Sequence, residues 1–481
     1  MEIGRLLFPA LRWDAATGFA HERERIEAAL ALGVGGFIVF GGEAQAVRAL
    51  VTSIRSRTHR PLLFGADLER GAGQQFHGAT PLPPAAALGA LGDLDVLRRS
   101  AELTAREARA LGIDWIYAPV ADVDLEPQNP IVGTRAFGTD PARVAAAVAA
   151  WVRGCAAGGA LSCAKHFPGH GRTTADSHVE LPRVVAERAA LELDLAPFRA
   201  AIDAGVDTIM TAHVAYSALD PSGAPATLSR AILHDLLRDQ LRFTGLVVSD
   251  ALIMEGVLAG GGAGRAAVRA LAAGCDALLY PEEPAHVATV IEAAISHDLP
   301  EGRVTEALAR VDTAARKAAA MTRADEWGRE EDRAWTRSVA QRTVLVVRGR
   351  PTLARACDLI TVDDDVGGPY PPGRRDVFPA TLRSGGVDVR ETQEVHPDRA
   401  ALVAVYADIR AWKGRPGLSA RAREAVQRAL ARRPAALVAL FAHPRLAAEL
   451  PPNAAVVAAW GGEPLMQEAA AHRLLQAGAA V

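Results

Sequence analysis

The richest chemistry in the chain lies between Lys165 and His178, where the residues read KHFPGHGRTTADSH. An apolar run turns abruptly polar there, and three histidines, a lysine and an aspartate fall within one strand end and one loop. Packing does not call for that density of titratable groups, whereas a reaction site does. Asp176 and His178 stand two apart, so in an extended loop they face the same way, and the carboxylate can orient and polarise the imidazole. An unperturbed imidazole titrates at ~6.5, close to working pH, so the pair is poised to carry a proton. The plainer alternative is that the two residues only order the loop. A second carboxylate, Asp250, closes the apolar run Leu246-Val247-Val248-Ser249. Held rigidly at a strand end, it could attack an anomeric carbon and form a glycosyl-enzyme, with the proton carrier acting first as acid and then as base.

Other polar residues suit the binding of a sugar. Lys165, His166 and Arg135 are donors for hydroxyl groups, and Asp67 can accept from two adjacent hydroxyls. Arg135 lies in the loop NPIVGTRAFG, Asn129 to Gly138, where it is either a ligand contact or an ordinary surface arginine. His213 is expected among the binding residues, with a supporting place behind the site as its simplest role. His170, between two glycines, reads as a loop brace first. His166 and His170 are four apart, but the intervening proline and glycine forbid a helix, so no metal site is expected. The glycine run at Gly260 to Gly264 lacks the strand spacing and acidic partner of a nucleotide fold, and no cofactor is expected.

Positioning these groups requires a regular frame. Apolar runs at Arg5 to Ala10, Gly35 to Phe40, Pro61 to Asp67, Asp114 to Asp122, Ala160 to His166, Asp207 to His213, Gly245 to Asp250 and Asp276 to Tyr280 alternate with Ala/Leu/Arg-rich helical segments. Eight strands alternating with helices predict an α/β chain built as a (β/α)8 TIM barrel. Asp67, Asp122, Lys165 with His166, His213 and Asp250 all close strands at the C-terminal end, the face where barrel sites are built. Any one of them singly would read as a cap or turn residue; five together predict a shared pocket. Beyond about residue 325 a charged stretch leads to further strands at Thr343 to Val347, Leu402 to Tyr406 and Ala436 to Phe441, and a helix at Ala420 to Arg432. The expected organisation is a catalytic barrel over 1–325, a linker over 326–337, and a smaller three-layer α/β sandwich over 338–481.

Composition narrows the function. Of 481 residues, 50% are hydrophobic and 23% charged, which fits a folded enzyme and excludes a disordered chain. A formal net charge of −3 gives no footprint for nucleic acid or an anionic membrane. No run reaches the ~18 apolar residues of a membrane span. The N-terminus lacks a basic leader and an apolar core, and Cys155, Cys163, Cys275 and Cys357 have no C-x-x-C spacing, so a cytoplasmic location is expected. Composition does not reveal an oligomeric state.

Four segments in order, NPIVGTRAFG, KHFPGHG, DSH and the VSD of GLVVSDALIMEGV, closely resemble the glycoside hydrolase family 3 β-N-acetylglucosaminidases of bacterial cell-wall recycling, over nearly all of residues 1–320. The resemblance implies a retaining mechanism with Asp250 as nucleophile and Asp176 with His178 as the acid/base dyad. It implies that Asp67, Arg135, Lys165 and His166 contact an N-acetylglucosamine ring. The implied substrates are terminal β-linked N-acetylglucosamine units of muropeptides or similar amino-sugar glycosides, and the second domain resembles the sandwich of two-domain members.

The chain departs from that pattern twice. Where the family often reads DQEGGRVQRF, Asp67 opens DLERGAGQQF, so the arginine moves to position 70. After KHFPGHG an acidic residue is common, and here Arg172 stands; this cation would either lower the proton affinity of His178 or favour an anionic ligand. A hydrolase is the first reading. A phosphorylase is second, because a histidine does not repel phosphate as a carboxylate would and similar dyad-bearing relatives are thought to use it. A β-glucosidase-like hydrolase is third, opposed by the DSH loop, and a non-catalytic saccharide-binding protein is last, since Asp250 and His178 both remain.

Overall fold

The computed structural model describes residues 1–177, 179–258, 261–365, 373–409, 413–431 and 436–478, which divide into two compact units. The first holds 1–81, 93–125 and 136–332; the second holds 82–92, 126–135 and 333–481. The residues expected as a linker include the start of the helix Glu330–Thr343.

The first unit is a closed parallel barrel. Its strands are β1 (Leu7–Phe8 continuing as Ala10–Arg12), β2 (Gly36–Phe40), β3 (Leu63–Ala66), β4 (Trp115–Ile116), β5 (Leu161–Phe167), β6 (Thr208–Thr211), β7 (Leu246–Val248) and β8 (Leu278–Leu279). Each pairs in parallel with the next from β1 to β7. A bridge from Val248 to Ala277 joins β7 to the start of β8, and β8 pairs with β1 through Leu278 and Leu7, closing the circle. These are the eight runs expected from the sequence. They are short and almost wholly buried because each is enclosed by side chains within and by helices outside. The Trp115 ring packs edge-on to Phe8 and Tyr117, at 5.5 and 5.0 Å between centroids, and its indole N–H donates to Thr208 Oγ1 at 2.8 Å, tying β4 to β6.

At the N-terminal end of the barrel a repeated device holds neighbouring strands in register. Asp114, Asp207 and Asp276 immediately precede or adjoin β4, β6 and β8, and each carboxylate accepts a backbone N–H of the preceding strand: Phe64 at 3.3 Å, Ser162 at 2.9 Å and Val247 at 2.9 Å. Each carboxylate is also answered by cations from surrounding segments. Arg55 and Arg109 pair with Asp114, and Lys317 with Asp207. Asp276, wholly buried, takes Arg238 at 2.7 Å, Arg310 at 3.1 Å and Arg303. Burial lowers the Arg238 guanidinium to about 10 although Asp276 opposes the shift.

The second unit is a six-stranded sheet: β9 (Leu345–Arg348), β10 (Ala356–Asp363), β11 (Asp388–Glu391), β12 (Ala400–Tyr406), β13 (Leu437–Phe441) and β14 (Ala455–Ala458). The order is β9-β14-β13-β12-β10-β11, with β9 antiparallel to β14 and every other pair parallel. Alternation along β12 builds two cores. Leu402, Ala404 and Tyr406 enter the one shared with Phe378, Leu382 and Leu474, whereas Ala401, Val403 and Val405 enter the one shared with Ala422, Val426 and Leu430. Helices thus cover both faces of the sheet, which is a three-layer α/β sandwich.

Removing a carboxylate from a buried network strands the cations around it. Asp276→Asn should therefore cost about 3–5 kcal/mol of stability. Glu102→Gln, which removes an exposed i,i+4 pair with Arg98, should cost no more than about 0.5 kcal/mol. Urea unfolding followed by tryptophan fluorescence measures both, and equal costs would refute the register role of Asp276.

Candidate active site

Every barrel strand runs in the same direction, so the residues that follow their C-terminal ends share one mouth. Lys165, in β5, is 2% exposed and would be costly to bury alone. Its ammonium lies 2.6 Å from Asp67 Oδ1 and 2.7 Å from Glu69 Oε1, so two carboxylates from the segment after β3 answer one cation. Glu69 is buried, whereas the Asp67 side chain keeps 32% of its surface open. Glu69 is absent from the sequence-based set of site residues. Its signal was the spacing Asp67-Leu68-Glu69, which in extended chain turns both acids the same way.

His166 follows directly. Its Nδ1 lies 2.7 Å from Asp122 Oδ2, and its backbone N–H donates to Asp122 Oδ1 at 3.1 Å. The His170 backbone N–H donates to the same Oδ1 at 2.6 Å. Burial would push the Asp122 carboxyl up, yet the two histidines outweigh it and hold the group below the usual carboxylate range. Asp122 therefore fixes the His166 ring and the root of the loop that leads toward Asp176.

That loop is tightly closed. A Cβ on Gly171 would come within 1.7 Å of the Val123 carbonyl oxygen, so only glycine admits this approach. The His170 ring bridges Thr173 Oγ1 at 2.8 Å and Ser177 Oγ at 3.1 Å, a brace across the arc. Arg172 is turned to Asp194 at 2.7 Å and to the Ala190 carbonyl at 3.1 Å. Asp176 is buried, and its carbonyl accepts the Val179 N–H at 3.0 Å. His178 lies outside the described residues.

Asp250 follows β7 and accepts the Ala251 N–H at 2.7 Å. His213, after β6, is fully buried; its Nε2–H donates to the Ala251 carbonyl at 3.1 Å, and its Nδ1 lies 2.7 Å from Thr227 Oγ1. It thus holds the backbone next to Asp250 from behind. Gly256, in the short helix Glu255–Leu258, lies against the Ser177 and His213 carbonyls, so the segment after Asp250 packs on the end of the histidine loop. The Cys163 thiol, two residues before Lys165, is pushed up to about 12 by burial, with the Asp67 and Asp250 charges adding to the rise and the Thr208 hydrogen bond and the Lys165 charge opposing it. The charges of β3, β5 and β7 are thereby felt at one point in the barrel interior.

Arg135 belongs to the second unit, at the end of the turn Gly133–Arg135. Asn129 Oδ1 accepts the Ile131 and Val132 N–H groups at 2.8 Å each, which shapes the loop. Thr134 Oγ1 donates to Asp408 Oδ1 at 3.0 Å within that unit. Among the described residues the one group of potential metal ligands, His234, Asp235 and Asp239, is exposed and does not include any residue of the mouth.

The chain has known counterparts. The model of the glycosyl hydrolase family 3 N terminal domain matches residues 2–314. A beta-N-acetylglucosaminidase/beta-glucosidase of Cellulomonas fimi is 43% identical over 261 residues, which are 52% of this chain and 46% of that protein, so the chain spans about half the length of this relative. A beta-hexosaminidase of Chromobacterium violaceum is 37% identical over 319 residues, 64% of this chain and 85% of that one. A solved family 3 beta-N-acetylglucosaminidase from Paenibacillus sp. str. FPU-7 superposes with a TM-score of 0.85 at 29% identity, covering 99% of this chain and 96% of its own. The chain belongs to glycosyl hydrolase family 3.

Proposed function

We propose that the protein is a retaining exo-β-N-acetylglucosaminidase acting on terminal β-linked N-acetylglucosamine. The observation that carries this reading is the paired use of Lys165 by Asp67 and Glu69, with a separately held Asp250 at the end of another strand: one set of groups suited to hydroxyls, and one partly exposed carboxylate suited to a carbon. The amino-sugar preference is supported by the names of the relatives in Cellulomonas fimi, Chromobacterium violaceum and Paenibacillus.

In the first step an Asp250 carboxylate oxygen forms a bond to the anomeric carbon as the bond to the leaving oxygen breaks, and that oxygen takes a proton from His178. In the second step His178 recovers a proton from water, the water oxygen bonds to the anomeric carbon, and the bond to Asp250 breaks. Asp176 orients the imidazole throughout. Asp67, Lys165 and His166 hold the ring, and His213 keeps Asp250 aimed. Muropeptides are the natural substrates in this reading, on the strength of the four motifs. Four buried cysteines, none in a disulfide, fit a reducing cytoplasm.

An aryl β-N-acetylglucosaminide incubated with and without phosphate tests the activity. Free N-acetylglucosamine is expected in both cases; sugar 1-phosphate would replace the hydrolase by a phosphorylase, and preference for an aryl glucoside would remove the amino-sugar assignment. Asp250→Ala should lower turnover by several orders of magnitude while the far-ultraviolet circular dichroism is retained, and normal turnover would exclude Asp250 as nucleophile. Asp122→Asn weakens bonds to both His166 and His170, so it should lower kcat/KM and also cost about 1.5–3 kcal/mol of stability, read from the unfolding midpoint.

A further inference from the structure

We infer that Arg172 and Asp194 are positioning residues for proton transfer: their ion pair sets the place of the loop segment that ends at Asp176. The inference rests on the acid/base role proposed above for Asp176 and His178.

The loop has two kinds of tie. Its root is held on the inner side, where Asp122 takes the His166 and His170 backbone N–H groups, and where the Tyr216 hydroxyl donates to the Gly169 carbonyl at 2.7 Å. Beyond the root the chain runs as an arc that His170 closes on Thr173 and Ser177. A side-chain tie from that arc to a barrel helix is Arg172, whose Nε–H donates to Asp194 Oδ2 at 2.7 Å and whose Nη2 donates to the Ala190 carbonyl at 3.1 Å. Both acceptors belong to the helix Arg188–Asp203. That helix is itself fixed to β5, since Phe198 packs edge-on to Phe167 at 5.2 Å. Contact is close along this line: a Cβ on Gly169, at φ +132°, would meet the Asp194 Cβ at 3.0 Å.

Stability alone gives little reason for the pair. Asp194 is almost completely buried, and its Oδ1 has no hydrogen-bond partner among the described residues. Burial pushes its carboxyl up to about 6 even though Arg172 opposes the shift. A charge kept where it is poorly solvated costs nearly what the pairing returns. What the pair does supply is direction, because two donors of one rigid guanidinium grip one helix end and fix where the arc lies. Arg172 stands four residues before Asp176, so a shift at one is passed to the other across a braced loop. In the structure the guanidinium is turned to Asp194 and Ala190.

A displacement of about 1 Å in a group that transfers a proton can cost up to about 100-fold in rate. The consequence is specific to substrates that need the proton. In kcat/KM, which reports formation of the glycosyl-enzyme, a phenyl β-N-acetylglucosaminide requires an acid to expel its leaving oxygen, whereas a 2,4-dinitrophenyl glycoside does not. Arg172→Met should lower kcat/KM about 10-fold or more on the phenyl substrate and leave the dinitrophenyl value within about 2-fold. Asp194→Asn should do the same, the double variant should be no worse than either single one, and Arg172→Lys should recover part of the loss. Unfolding midpoints are measured for each variant, and Arg172→Lys and Asp194→Asn keep the experiment readable should Arg172→Met not fold. Equal losses on both substrates, or no loss on either, would overturn the positioning role. A wild-type protein inactive on both would overturn the glycosidase assignment, and this role with it.

Discussion

A carboxylate taken out of water must be answered by donors, and the barrel is organised by how completely each one is answered. At the N-terminal end Asp276 receives three guanidinium groups and a backbone N–H, and Asp114 receives two guanidinium groups and a backbone N–H. Saturated in this way, they act as fixed pins between strands. At the C-terminal end Asp122 is saturated as well, but by groups of the candidate site: the His166 ring and the backbone of His166 and His170. Asp67 and Asp250 differ from these in being partly open to solvent.

The same view explains the lysine. A buried ammonium beside one carboxylate would neutralise it and leave little field for a ligand. With Glu69 and Asp67 both within hydrogen-bond distance, two carboxylates share the one ammonium, and it is Asp67 that keeps part of its surface open. A partly exposed carboxylate of this kind can accept from the hydroxyl groups of a ligand.

The frame was readable because it rests on local pattern. Each barrel strand is a short Val/Ile/Leu/Phe run that ends in a polar residue, and that ending carried the site residues with it. What the sequence hid is partnership across long separations. Glu69 was legible only as a neighbour of Asp67, and Asp194 is one acid among many on an ordinary helix until Arg172 is seen against it. In the second unit β10 and β11 escaped notice for a related reason. Asp358 interrupts the apolar run of β10, and it is tolerated there because Arg390 and Arg399 pair with it and the His396 N–H donates to it. β11 is an edge strand in which only Val389 is buried, so no alternation marks it.

The loop between Pro168 and Ser177 shows why glycine and proline content is a poor guide to motion. Its sequence suggests a free hinge, but Gly171 is required by its approach to the Val123 carbonyl, and His170 spends its ring on Thr173 and Ser177 rather than on solvent. Whatever displacement the segment undergoes must therefore pass through a few identifiable ties rather than through general softness. The inner tie at Asp122 is shared with His166 and so cannot yield without disturbing the groups assigned to the sugar. The outer tie at Asp194 is shared with none of them. A proton carrier that had to approach and withdraw while the ring stayed held would have to separate its two anchorages in this manner, and the division between Asp122 and Asp194 supplies that separation.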